Sequence, residues 1–157
     1  MKTEMTLEDK INVIYNWVMA QKGEGQIDIP EDAVIEPTYE ELAEDVLTEL
    51  GLSRSVAGFS YVTWAVECVA NDSNALRNVT KGLYTTGGIR FGVSWNAFER
   101  GIRHAIDITI RKPDKMTPTA IKIFGGGAGC MNVSNKAFIA IIASEVKKRK
   151  KHHKFDI

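Results

Sequence analysis

The sequence has little of what marks a secreted, metal-binding or membrane protein. Its 157 residues hold two cysteines, Cys68 and Cys130, far apart and without a C-x-x-C partner. Neither a disulfide framework nor a zinc site is encoded, and a reducing cytoplasm is the expected setting. No apolar run approaches the ~20 residues needed to cross a bilayer, and the start, Met1-Lys-Thr-Glu-Met-Thr6, has no signal-peptide core. No membrane partner is expected. Alternating strand patterns of useful length and internal repeats are absent too, which leaves an all-α chain. What is present is ordinary for a globular domain with a real core: 44% apolar and 25% charged residues.

Enzymatic signatures are equally scarce. The three histidines are His104, inside a helical segment, and His152 and His153 near the end. No H-E-x-x-H or G-x-S-x-G pattern accompanies them. Cys68 lies between Val66 and Val69 on a helical face and reads as a structural thiol. The run Gly125-Gly-Gly-Ala-Gly129 lacks the Lys-Ser/Thr of a P-loop, and no strand precedes it. It reads as a plain connection. The expectation is a non-enzyme with no cofactor and no metal.

Net charge is zero, but the zero hides an asymmetry. Residues 1–50 carry 3 basic and 13 acidic residues, a net of −10, and residues 51–157 carry 17 basic and 7 acidic, a net of +10. A basic second part suits a polyanionic partner, although oppositely charged surfaces within one fold give the same arithmetic. Lys147-Lys-Arg-Lys-Lys-His-His-Lys154 adds eight consecutive titratable bases, more than can all find internal partners.

Helical periodicity then organises the chain. Leu7, Ile11, Ile14, Trp17 and Val18 predict one buried face of a helix from Thr6 to Lys22, with Thr6 and Asp9 as a capping pair and Gly23-Glu-Gly25 as its stop. Residues 26–37 form an acidic linker. Thr38 and Glu41 cap a second helix with Leu42, Val46, Leu47 and Leu50 as its stripe, stopped by Gly51. A third runs from about Ser55 to Asn71 with Phe59, Val62, Val66 and Val69 inward. A fourth spans about Asn74–Tyr84. Thr85–Val93 is ambiguous, because each interior glycine costs a helix roughly 1 kcal/mol. Ser94 caps a helix to about Ile110. A short helix follows at Pro118–Phe124, and Ser134 or Asn135 opens the last one, to about Lys148. The expected division is residues 1–37 as N-terminal helix and linker, 38–151 as the main domain, and 152–157 as the end of the basic tail.

The helix after Ser94 is the informative element. Trp95, Phe98, Ile102, Ala105, Ile106 and Thr109 should face the core. The other side carries Asn96, Glu99, Arg100, Arg103 and Asp107, with His104 at its flank. Arginine can hold guanine O6 and N7 together, asparagine can pair with adenine, and glutamate can accept from the cytosine amino group. A solvated face with a Glu99–Arg103 pair at i, i+4 is the plainer alternative. The preceding segment, ending near Phe91, and a three-residue turn give helix-turn-helix spacing, with the second helix as the reader.

These residues carry a family likeness. Phe98-Glu-Arg-Gly-Ile-Arg-His-Ala-Ile106, with Tyr84 and Phe91 seven apart before it, resembles the DNA-binding effector domain of the stage-zero sporulation master regulator of endospore-forming bacteria. Gly51-Leu52, Val69-Ala-Asn-Asp72, Val79-Thr-Lys-Gly-Leu-Tyr84, Phe124-Gly125 and Phe138-Ile-Ala140 extend it over about residues 38–151. The resemblance implies about six to seven helices with a helix-turn-helix, unlike a winged helix, plus the N-terminal amphipathic helix. It also implies recognition of a short box containing G and C, often in tandem copies. Contact with the sigma subunit of RNA polymerase and a homodimer on tandem sites go with it. By position Arg100 matches the family's guanine-reading arginine and Glu99 its base-contacting neighbour. Arg103 and His104 fall on phosphates, and Lys151 matches a C-terminal lysine that reaches DNA.

Three departures stand out. No receiver domain is expected in residues 1–37, so phosphorylation control is not carried over. Thr85-Thr-Gly-Gly-Ile-Arg-Phe91 replaces a good helix former, and Asn96-Ala97 replaces a Ser-Arg pair. The resulting expectation is a sequence-specific transcription regulator binding double-stranded DNA. Arg100, Glu99 and Asn96 would lie at base edges, with Arg103, His104, Arg90, Lys147, Lys148 and Lys151 on phosphates. The alternative is a protein-interaction module that keeps the fold and binds polymerase or another regulator, its acidic first third serving as a surface or a self-inhibiting mimic of DNA.

Overall fold

The computed structural model describes residues 6–20, 35–127, 130 and 132–153, and among these every regular element is helical. The stop at Gly23-Glu-Gly25, most of the acidic linker and the last residues of the tail lie outside the described residues. The chain divides into two units, Met1–Ile35 and Glu36–Ile157. Among the described residues no helix is long and apolar enough to cross a membrane.

In the first unit, helix α1 spans Leu7–Ala20. Thr6 N–H donates to Asp9 Oδ2 at 2.9 Å and Asp9 N–H donates to Thr6 Oγ1 at 3.1 Å, the reciprocal cap that the sequence predicts. Those bonds hold the Asp9 carboxyl below its ordinary range. The apolar stripe departs from expectation: Leu7, Ile11, Ile14, Trp17 and Val18 are all exposed. Among the described residues of its unit this 14-residue helix has no second element to bury them against.

The second unit is built on α2 (Tyr39–Glu49), α3 (Ala57–Asn71), α5 (Trp95–Thr109) and α7 (Asn135–His153), with α4 (Thr85–Phe91) and α6 (Pro118–Phe124) as shorter pieces. The capping box at Thr38 and Glu41 is present, with Thr38 N–H donating to Glu41 Oε2 at 2.8 Å and Glu41 N–H to Thr38 Oγ1 at 3.1 Å. Leu42, Val46, Leu47 and Leu50 meet Phe59, Val62 and Val66 of α3, Phe98, Ile102 and Ile106 of α5, and Phe138, Ile142 and Val146 of α7 in one buried cluster. That cluster removes the apolar faces of four helices from water, the main term holding the unit together.

Two stretches differ from the periodicity. In place of one helix from Asn74 to Tyr84, a tight turn at Ser73–Leu76 is followed by a wide helical turn at Val79–Tyr84. Asp72 caps the first by accepting from Asn74 N–H at 3.0 Å. Asn78, at φ −134° and ψ 68°, breaks the helical path between the two. The wide turn closes with Thr85 Oγ1 donating to the carbonyl of Thr80, five residues back, at 3.0 Å. The last helix also runs five residues beyond the expected Lys148. Arg149 explains much of that: its guanidinium donates to Glu49 Oε1 and Oε2 at 3.0 and 2.7 Å and to Glu145 Oε1 at 3.1 Å.

Candidate nucleic-acid interface

The ambiguous segment Thr85–Phe91 is a helix because its glycines are packing residues. Gly87 and Gly88 are buried, and a methyl group at Gly87 would overlap the Phe98 ring, with Cε2 at 2.6 Å. The intrinsic cost of glycine in a helix is thereby offset by close approach of α4 to α5. Gly92 ends α4 in the left-handed region at φ 68°, which only glycine adopts without strain, and turns the chain through Val93 into Ser94. Ser94 Oγ then accepts from Ala97 N–H at 3.1 Å and starts α5.

Phe98 pins this motif from within. It is fully buried, with Tyr61, Trp64, Tyr84 and Phe91 rings at centroid distances of 4.8, 5.8, 6.2 and 6.0 Å. On the same inner side α3 and α5 cross almost backbone to backbone, since a methyl on Gly58 would strike the Gly101 carbonyl. The inner face of α5 is therefore locked at Phe98, Ile102, Ala105, Ile106 and Thr109, as the spacing predicts. Trp95 is the exception. Its side chain is 45% exposed, not in the core: it is the first residue of α5, and burial on that helix begins only at Phe98.

The outer face of α5 presents Asn96, Arg100, Arg103, His104 and Asp107, all exposed. Arg100 has no ion-pair or hydrogen-bond partner among the described residues. Glu99 behaves differently. Its carboxylate Oε1 pairs with Arg103, and the side chains are 17% and 58% exposed respectively. Asn135 Nδ2 donates to the same Oε1 at 3.4 Å and to the Glu99 carbonyl at 3.3 Å. The i, i+4 pair expected of a plain solvated face is thus present, while the second carboxylate oxygen accepts no bond among the described residues. Tyr84 lies behind this group, where burial raises its phenol above the ordinary range and the Asn135 amide partly offsets that rise.

The remaining basic residues are dispersed. Arg90 is exposed on α4 with its guanidinium 5.7 Å from the Phe91 ring centroid. Lys147, Lys148 and Lys151 are exposed near the end of α7 beside Tyr39, whose ring Lys150 covers at 4.4 Å. At 1.5 Å per residue they stand roughly 18–24 Å along α7 from Asn135. The structure brings Asn96, Arg100, Arg103 and His104 to one face and leaves the lysines at a separate place. Asn135, on the other hand, was not legible as part of this face, since its partner is 36 residues away.

The fold and this face define a helix-turn-helix protein whose second helix is backed by the core and bears an outward arginine. Residues 43–146 match the family described as sporulation initiation factor Spo0A C terminal. The match covers well over half of the chain, and the chain belongs to that family of DNA-binding domains from sporulation transcription regulators. All of α5 falls inside the match, and the Lys147–Lys151 cluster begins one residue past its end.

Proposed function

We propose that this chain binds duplex DNA in a sequence-specific manner and regulates transcription. The observation that carries the reading is Arg100, exposed and unpaired among the described residues on a helix whose opposite face is locked in the core. In a major groove it would hold guanine O6 and N7, with Asn96 and the second oxygen of Glu99 at neighbouring base edges. Arg103, His104 and Arg90 would meet the flanking phosphates. Lys147, Lys148 and Lys151 would meet phosphates further along the duplex, in keeping with their separation from α5. The sigma subunit of RNA polymerase and a second copy on tandem sites are the partners that family membership suggests.

Selection of bound duplexes from a random pool tests this and supplies the target. Enrichment of a short motif containing G is the expected result; a pool that stays random sinks the reading. A second reading, a protein-interaction module that keeps the fold, draws on the pairing of Glu99 with Arg103 and Asn135. Mobility shifts of the chain with and without residues 1–37 separate the two. Absence of a shifted band in both forms assigns the chain to the second.

A further inference from the structure

We propose that Asn135 is a positioning residue for the DNA-binding face, acting through Glu99 on Arg103; this rests on the DNA-binding reading above. Asn135 is the first residue of α7, yet it does not cap that helix. Ser134 does, accepting from Ala137 N–H at 3.1 Å, so the Asn135 amide is free for another element. That amide crosses to α5 and donates twice to one residue, to the Glu99 carbonyl at 3.3 Å and to its carboxylate at 3.4 Å.

The consequence reaches the outer face through charge. A glutamate on an exposed helix surface samples several rotamers, and an arginine paired to it samples as many. Here the carboxylate is mostly covered and tied to a residue of another helix, so it acts as a fixed post for the Arg103 guanidinium. One nitrogen of that guanidinium, Nη2, is engaged, and its remaining N–H donors stay available to a phosphate oxygen. An arginine held in place before binding loses less conformational freedom on contact with DNA. Without Asn135, Glu99 swings with its own rotamers and Arg103 with it.

The test uses the whole chain, a duplex chosen by selection and a random duplex, with binding measured across salt concentrations. Asn135→Ala should weaken both duplexes roughly three- to tenfold, the worth of one or two hydrogen bonds, and the selected duplex the more, since the freed Glu99 also stands at a base edge. It should also reduce the salt slope by about one, as loss of one phosphate contact does. In an Arg103→Ala background, Asn135→Ala should add little. A purely structural role would lower the melting temperature, leave the slope alone and add in full to Arg103→Ala, and that result overturns the proposal. Asn135→Ser, a residue well suited to a helix start, repeats the cycle if the alanine variant unfolds. If the wild type binds neither duplex, both the DNA reading and the positioning role fall. If it binds both equally, base reading falls, and the slope still decides the role of Asn135.

Discussion

At the scale of single residues, the proposed base-reading and phosphate-holding roles predict different losses. Arg100→Ala should cost about 1–3 kcal/mol on the selected duplex and little on random DNA, flattening sequence preference. Lys151→Ala should weaken both duplexes alike and lower the salt slope by about one. Competition binding on the two duplexes checks both, and an equal loss for Arg100→Ala counts against its assignment. A second prediction concerns packing. Gly87→Ala drives a methyl into the Phe98 ring and should destabilise the unit by about 1–3 kcal/mol, read from urea unfolding. Arg100 was legible as an outward residue from periodicity alone. The dual engagement of Glu99 and the exposure of Trp95 were not, because each depends on which neighbour stands behind α5 at that height.

At the scale of elements, caps and joints dominate. Thr38, Ser94 and Thr117 begin α2, α5 and α6 as their side chains allow, each accepting a backbone N–H of the first turn. Thr117 was not singled out; the caps at Thr38 and Ser94 were readable because a cap is a local bond within four residues. The broken path at Asn78 and the wide turn before α4 were not, since spacing of apolar residues does not distinguish a helix from a helix interrupted in the middle. The α2–α7 joint offers a pH test. Hydrogen bonds from Arg149 hold the Glu49 carboxyl below its ordinary range. A depressed carboxyl contributes stability that is complete above the ordinary glutamate value and fades as pH falls through the depressed one. Both partners are partly exposed, so the contribution is about 1 kcal/mol or less. Glu49→Gln should therefore lower stability near neutral pH and make no difference in strong acid. Denaturant melts at the two extremes check it, and an equal effect at both refutes it.

At the scale of the whole molecule, the buried cluster runs from Leu42 to Val146 and lies wholly within Glu36–Ile157. Removal of residues 1–35 should leave a cooperative unfolding transition by circular dichroism. It also removes 7 acidic and 3 basic residues, leaving the rest at +4. Attraction to any polyanion should rise accordingly, so random duplex at low salt should bind more tightly to the shortened chain. Unchanged affinity would assign no electrostatic role to that segment. The sequence by itself determined the all-α class, the helix starts, the inner face of α5 and the outward Arg100, because caps and periodicity are short-range properties of a chain. Only the tertiary structure decided that the α4 glycines serve close packing, that Trp95 emerges from the core, and that Asn135 reaches Glu99. Those depend on contacts between residues far apart in sequence, which no local pattern records.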